Sequence, residues 1–296
     1  MRSSRRTMLK GLAISGIGLS AAGTWSLSTG AHGNQNKTVL KGNIRHAVAR
    51  WTFPDLSLEA LCLAIKEIGF AAIDLVGPDE WHILKKHGVD CSMCNGAELN
   101  LEDGWCDARF HEALIPRYLT HIEKVAEAGY TNLICFSGNK RGMDNETGLN
   151  NAVAGLSKIL PHAEKHGVVL QMELFNSKVD HPDYMADNSP WGIELCRRLG
   201  SENFKLLFDI YHMQISEGDI IRTIRDNHQY FGHFHTAGVP GRHEIDDSQE
   251  LYYPAIAKAI ADLNFTGYLA QEFIPTPDNQ AGKLQSLKQA VRICDV

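Results

Sequence analysis

FKLLFDIYH (204–212) and FGHFHTAGVPGRHE (231–244) decide how this chain is read. Each opens as a short apolar strand and closes in side chains that can ligate a metal or grip a polar substrate. Asp209 stands where an apolar run ends, with Tyr211 and His212 just behind it. His233 and His235 are two apart, and a strand's period of two puts both on one face. VVLQMELFN (168–176) and GYLAQEFIP (267–275) end the same way, carrying Glu173 and Glu272. Four strands therefore deliver one potential ligand each, Glu173, Asp209, His235 and Glu272, near their C-terminal ends. A single acid in such a place needs no more than a hydrogen bond. Three brought together repel one another, and protonation or a divalent cation is the usual remedy. Hard oxygens with one imidazole suit one ion of Mn, Mg, Co or Zn in an open site, and ligand type does not choose among them.

Working outward, apolar runs at 44–51, 71–76, 89–97 and 132–138 read as four further strands. Between and after the strands come helical patterns at 57–68, 80–87, 112–128, 146–166, 191–199, 219–230, 253–263 and 283–293, several stopped by Gly. Ser57 is a candidate N-cap. Eight strand–helix pairs in strict alternation, with short buried strands, predict an α/β fold, a (β/α)8 TIM barrel filling residues 40–296 as one domain. An open doubly wound sheet is the competing architecture, but no Gly-x-Gly-x-x-Gly turn follows the first strand. A barrel gathers the C-terminal strand ends at one mouth, where the four ligands lie. The long polar loop 98–109, with Trp105 and Asp107, reads as a lid.

Residues 1–33 stand apart. Ser4-Arg5-Arg6-Thr7-Met8-Leu9-Lys10 resembles a twin-arginine export signal, a weakly apolar stretch follows at 11–27, and Ala31-His32-Gly33 offers a small-residue cleavage site. The expectation is a cleavable signal peptide, a periplasmic mature protein and no stable membrane span after cleavage. The full chain of 296 residues carries a net charge of −6; losing Arg2, Arg5, Arg6 and Lys10 with no acid takes it to −10. That charge argues against nucleic acid as a partner, and so against an endonuclease. The seven cysteines, Cys62, Cys91, Cys94, Cys106, Cys135, Cys196 and Cys294, fall in apolar segments and read as buried small hydrophobes. Cys91 and Cys94 have redox spacing, but in a strand and not at a helix start, where a lowered thiol pKa belongs.

Taken together, Glu-Leu-Phe-Asn (173–176), Asp-Ile-Tyr-His-Met-Gln (209–214), the run from His235 to Glu244 and Gln-Glu-Phe (271–273) resemble the hydroxypyruvate isomerase branch of the xylose isomerase-like TIM-barrel superfamily. The resemblance implies a single divalent ion held by Glu173, Asp209, His235 and Glu272, with His212 and Arg242 contacting substrate. It also carries a departure: members acting on hydroxypyruvate tend to have Gln at the position of His235, whereas sugar epimerases have His.

The residues support a definite chemistry. A metal chelated by both oxygens of an α-hydroxycarbonyl acidifies the adjacent C–H. Glu173 and Glu272 can then remove and return a proton through an enediolate. Arg242 offers a planar fork for a carboxylate or vicinal hydroxyls, and Trp51 a ring for a sugar to stack on. Lys140, Arg141, Lys178 and His181 lie in loops on the same face. The expected function is a metal-dependent isomerase or epimerase of a sugar, keto-sugar or hydroxy-keto acid. The alternatives are a lyase eliminating from 3-keto glycosides and a non-catalytic periplasmic carbohydrate-binding protein. A small-molecule sugar or keto acid is the expected partner, and assembly into a homo-oligomer is left open.

Overall fold

The computed structural model describes residues 39–296. The signal-peptide reading of 1–33 lies outside the described residues. Among those described, no helix is long and apolar enough to cross a membrane.

Strands buried on both faces need cover on both sides, which a parallel sheet rolled inside a ring of helices supplies. The order is β1 Arg45–Ala49, α1 Leu58–Ile68, β2 Ala72–Val76, α2 Trp81–His87, β3 Asp90–Cys94, α3 His111–Glu127, β4 Asn132–Cys135, α4 Asn145–Leu156, α5 Leu160–His166 and β5 Val169–Glu173. It continues with α6 Ser189–Leu199, β6 Phe204–Asp209, α7 Ile210–Ser216, α8 Ile220–Asn227, β7 Phe231–Thr236, α9 Tyr253–Ala261, β8 Tyr268–Gln271 and α10 Gln280–Cys294. All eight strands are parallel, each beside its sequence neighbour, and β8 returns to pair with β1, closing the barrel. The expected (β/α)8 architecture is therefore the observed one.

Local chemistry sets the boundaries. Ser57 caps α1 by accepting the Ala60 N–H, and Gly69 ends it in the left-handed region (φ 118°), which a side chain would resist. The helix expected over 146–166 is two. Pro161 sits in the first turn of α5, where its missing N–H is harmless; in a continuous helix its ring would collide with the carbonyl of residue 157. The stretch 204–212 stays extended only as far as Asp209, whose carboxylate accepts the His212 N–H and starts α7.

The loop 98–109 is not a free lid. Trp105 N–H donates to Phe136 O (3.1 Å), Cys106 N–H to Ser137 O (2.7 Å) and Asn139 N–H to Glu102 O (2.9 Å), and the Trp105 ring is fully buried. All seven cysteines are free and buried, as expected of packing residues. Burial pushes the Cys106, Cys196 and Cys294 thiols up to about 12, so they are inert.

Candidate metal centre and active site

Glu173 ends β5, Asp209 ends β6, His235 lies in β7 beside Asp209, and Glu272 follows β8 directly. Each is almost wholly buried. One ligand atom from each of the four lies within 4.8 Å of all the others. His235 Nδ1 stands 2.9 Å from both Glu173 Oε1 and Glu272 Oε2. The four residues picked out from the sequence thus meet at one point.

Asp209 Oδ2 faces this cluster with no hydrogen-bond partner, a buried orphan that a cation would satisfy. Burial, reinforced by Glu272 and Glu173, pushes the Asp209 carboxyl up to about 8. Glu173 is pushed up to about 6 by burial, with Glu272 adding to the effect. Burial also works against the Glu272 charge, yet the neighbouring His235 and Arg242 outweigh it and hold this carboxyl well below the usual range. Protein alone does not support three charges here. The donor set, three carboxylates and one imidazole around an unmet oxygen, fits a hard or borderline divalent ion.

Other expected residues surround the cluster. Trp51 donates its indole N–H to Glu272 Oε1 (2.8 Å), so it holds a candidate ligand as well as offering a ring. Arg242 donates to Glu272 Oε2 (2.6 Å), lies 3.6 Å from Asp209 Oδ2, and is sandwiched between the Trp51 and Tyr211 rings, 5.3 Å from each. His212 is fully buried beside Asp209. Asn176 donates to its Nδ1 (2.7 Å), which leaves the hydrogen on Nε2, 3.6 Å from Asp209 Oδ2. The loop cations are engaged elsewhere: Lys140 with Asp187, Arg141 with Asp103, and Lys178 with the carbonyls of Ile215 and Ser216.

Above the cluster opens a cavity of about 370 Å³ walled by Trp51, Leu75, Leu101, Phe136, Phe175 and His181. Of the four candidate ligands only Glu173 and Glu272 line it; Asp209 and His235 lie deeper. His181 stacks on Phe175, ring centroids 4.1 Å apart. Sequence reasoning missed Asp74, in the middle of β2, whose Oδ2 is 2.7 Å from His235 Nε2. Its signal was an acid set between Ile73 and Leu75 in a strand buried on both faces.

The shifted groups predict how the metal-free protein responds to pH. Folded Glu173 and Asp209 keep protons that the unfolded chain has released, so stability falls as pH rises through about 6 and about 8. His235, held protonated by the surrounding acids despite its burial, acts in the same direction above its ordinary value. His46, lowered to about 4 by burial, acts oppositely, but only below 6.5. Raising the pH from about 6.5 to about 8 in a chelator should therefore cost about 2 kcal/mol, or about 4–8 °C in Tm. Excess Mn²⁺ should flatten the slope; the check is a melting curve at both pH values with and without the ion.

A family model described as xylose isomerase-like TIM barrel matches residues 62–290. A 2-oxo-tetronate isomerase of Cupriavidus necator is 35% identical over 120 residues, 40% of this chain and 45% of that protein; the aligned stretch spans about half of that relative. Among solved structures, an AP endonuclease, family 2, from Brucella melitensis superposes with a TM-score of 0.71 at 21% identity, over 81% of this chain and 96% of that one. A D-psicose 3-epimerase from Clostridium cellulolyticum does so with a TM-score of 0.71 at 14% identity, over 85% and 98%. At these identities the superpositions speak for the fold alone. The closed barrel and the family match over residues 62–290 lead to one conclusion: the chain belongs to the xylose isomerase-like TIM barrel family.

Proposed function

We propose that the protein is a metal-dependent isomerase or epimerase that removes a proton from the carbon next to the carbonyl of an α-hydroxycarbonyl substrate and, through an enediolate, returns one to the neighbouring carbon (isomerase) or to the opposite face of the same carbon (epimerase). One observation carries the reading: of four donors clustered within 4.8 Å, the two glutamates also line the cavity. Glu173, Asp209, His235 and Glu272 would hold the divalent ion, which when bound supplies Lewis-acid polarisation of the substrate oxygens. Glu272 is kept ionised by Trp51, Arg242 and His235 and suits proton removal. Glu173, whose carboxyl is raised, suits proton return. Arg242 and Trp51 fix Glu272 in place. The C. necator relative named an isomerase supports the class.

Size and charge favour a sugar over a three-carbon keto acid. At ~30 Å³ for each water-sized group, the cavity holds about twelve, as many as a hexose has heavy atoms. Arg242 is the one cationic side chain among its lining residues and is already committed to Glu272. The proposal also places the mature protein in the periplasm, on the strength of the arginine pair and apolar stretch in residues 1–33.

The test is incubation of Mn²⁺-loaded protein in heavy water with ketoses, keto acids and 3-keto glycosides, followed by NMR. Solvent deuterium entering one carbon of an intact sugar is the expected result. An unsaturated sugar with a released leaving group would reassign the protein as a lyase. Binding without exchange on every substrate would leave a carbohydrate-binding protein.

A further inference from the structure

We propose that Asp74 is a positioning residue: through its hydrogen bond to His235 it fixes which ring nitrogen His235 offers to the ion, and so sets the affinity of the centre. The proposal rests on the metal reading above and adds a residue to it.

The geometry is that of a carboxylate behind a liganding imidazole. His235 directs Nδ1 at the ligand carboxylates and Nε2 at Asp74 Oδ2, 2.7 Å away. A neutral imidazole carries one N–H. Asp74 is acceptor-only when ionised, so it draws that hydrogen to Nε2 and leaves the Nδ1 lone pair facing the cluster. Without Asp74 the hydrogen would be drawn instead to Nδ1, between Glu173 and Glu272, where it blocks coordination.

Two independent features hold Asp74 to this task. Its other oxygen accepts from Ser92 Oγ (2.6 Å), and His233 Nε2 lies 3.2 Å from this fully buried carboxylate without the geometry of a hydrogen bond. His233, paired with His235 by strand period in the sequence, thus turns to the same carboxylate from a deeper layer. The backbone is also bent for it. The β2–β3 register shifts on both sides of Asp74, and Leu75 is held at φ 58°, a left-handed conformation that a leucine resists by about 1–2 kcal/mol. A bulge of this kind re-aims a side chain. A regular strand would alternate Asp74 and Leu75 strictly across the sheet. Here Asp74 reaches inward to His235 while Leu75 walls the cavity.

The test titrates chelator-stripped full-length protein with Mn²⁺ and reads the free ion by electron paramagnetic resonance, with no turnover involved. Asp74→Asn is expected to weaken Mn²⁺ binding about 10–100-fold, because the amide no longer demands the Nε2 hydrogen. Ser92→Ala, which frees one oxygen of Asp74, is expected to weaken it by a smaller factor of about 3–10. A purely structural Asp74 would lower the melting temperature of the stripped protein and leave the affinity of the folded fraction unchanged. Affinity within twofold of wild type in a folded Asp74→Asn protein overturns the proposal and leaves the metal reading standing. If Asp74→Asn does not fold, Ser92→Ala decides: a loss of threefold or more supports the role and unchanged binding overturns it. Should wild-type protein bind neither Mn²⁺ nor Zn²⁺, the metal reading falls and takes this inference with it.

Discussion

Replacing Glu272 by Gln is expected to reduce turnover by about 10³-fold or more, the larger end of what a positioned acid or base contributes. Both oxygens of Glu272 are committed: Oε1 to the Trp51 N–H, Oε2 to Arg242 and His235. An amide of the same shape must turn its NH2 toward one of these donors. Two donors then face each other in a buried site, a penalty of about 1–3 kcal/mol beyond the lost charge. The stripped Glu272→Gln protein should therefore melt below wild type. Glu173→Gln separates the two glutamates. Glu173 is opposed by its own burial and by Glu272, which outweigh its contact with His235 and the more distant Arg242. At about pH 8 its charge destabilises the stripped protein by roughly 2 kcal/mol, so the neutral amide should raise the melting temperature while still abolishing turnover. Kinetics on a substrate found by the exchange screen, with melting curves in a chelator, give both numbers. Wild-type turnover in either variant would remove the proton-transfer mechanism.

That contrast rests on residues legible before any coordinates. Glu173, Asp209, His235 and Glu272 announce themselves because each ends an apolar run, where a buried strand has no reason to carry a charge. The barrel follows from the same runs, since eight of them alternate with helical periods. Asp74 carried a weaker form of the signal, an acid inside an apolar strand, and its meaning lay 161 residues away in His235. No local pattern encodes such a pairing. Pro161 hinted at the division of the 146–166 helix without requiring it, since α3 runs unbroken through Pro116. The committed state of Arg242 was not: a guanidinium on a Gly-Pro loop looks free to meet substrate until the fold brings Glu272 within 2.6 Å. The loop 98–109 misled for a related reason. Its polarity suggested mobility, while its anchors are main-chain groups that composition does not register.

Those anchors make Gly104 a position where one added methyl group should damage the scaffold heavily. A Cβ at Gly104 would fall 2.4 Å from both Gly138 N and Phe136 O, backbone atoms that cannot swing aside. The two strands of loop would have to part. Separation breaks the hydrogen bonds from Trp105 to Phe136, Cys106 to Ser137 and Asn139 to Glu102, at about 1 kcal/mol each, and loosens the buried Trp105 ring. Gly104→Ala is accordingly expected to cost about 3 kcal/mol, or about 6–12 °C in Tm. Gly88→Ala is the control: a Cβ there meets nothing within 4 Å, and its cost of about 1–2 kcal/mol comes from backbone conformation alone. The loop also carries Glu98 and Leu101 into the cavity wall. Gly104→Ala should therefore raise KM more than it lowers kcat, since Glu173, ending β5, and Glu272, just after β8, lie outside the two segments that would part, whereas Gly88→Ala should alter neither. A Gly104→Ala protein with wild-type melting and KM would mean that the two segments are not held together in solution.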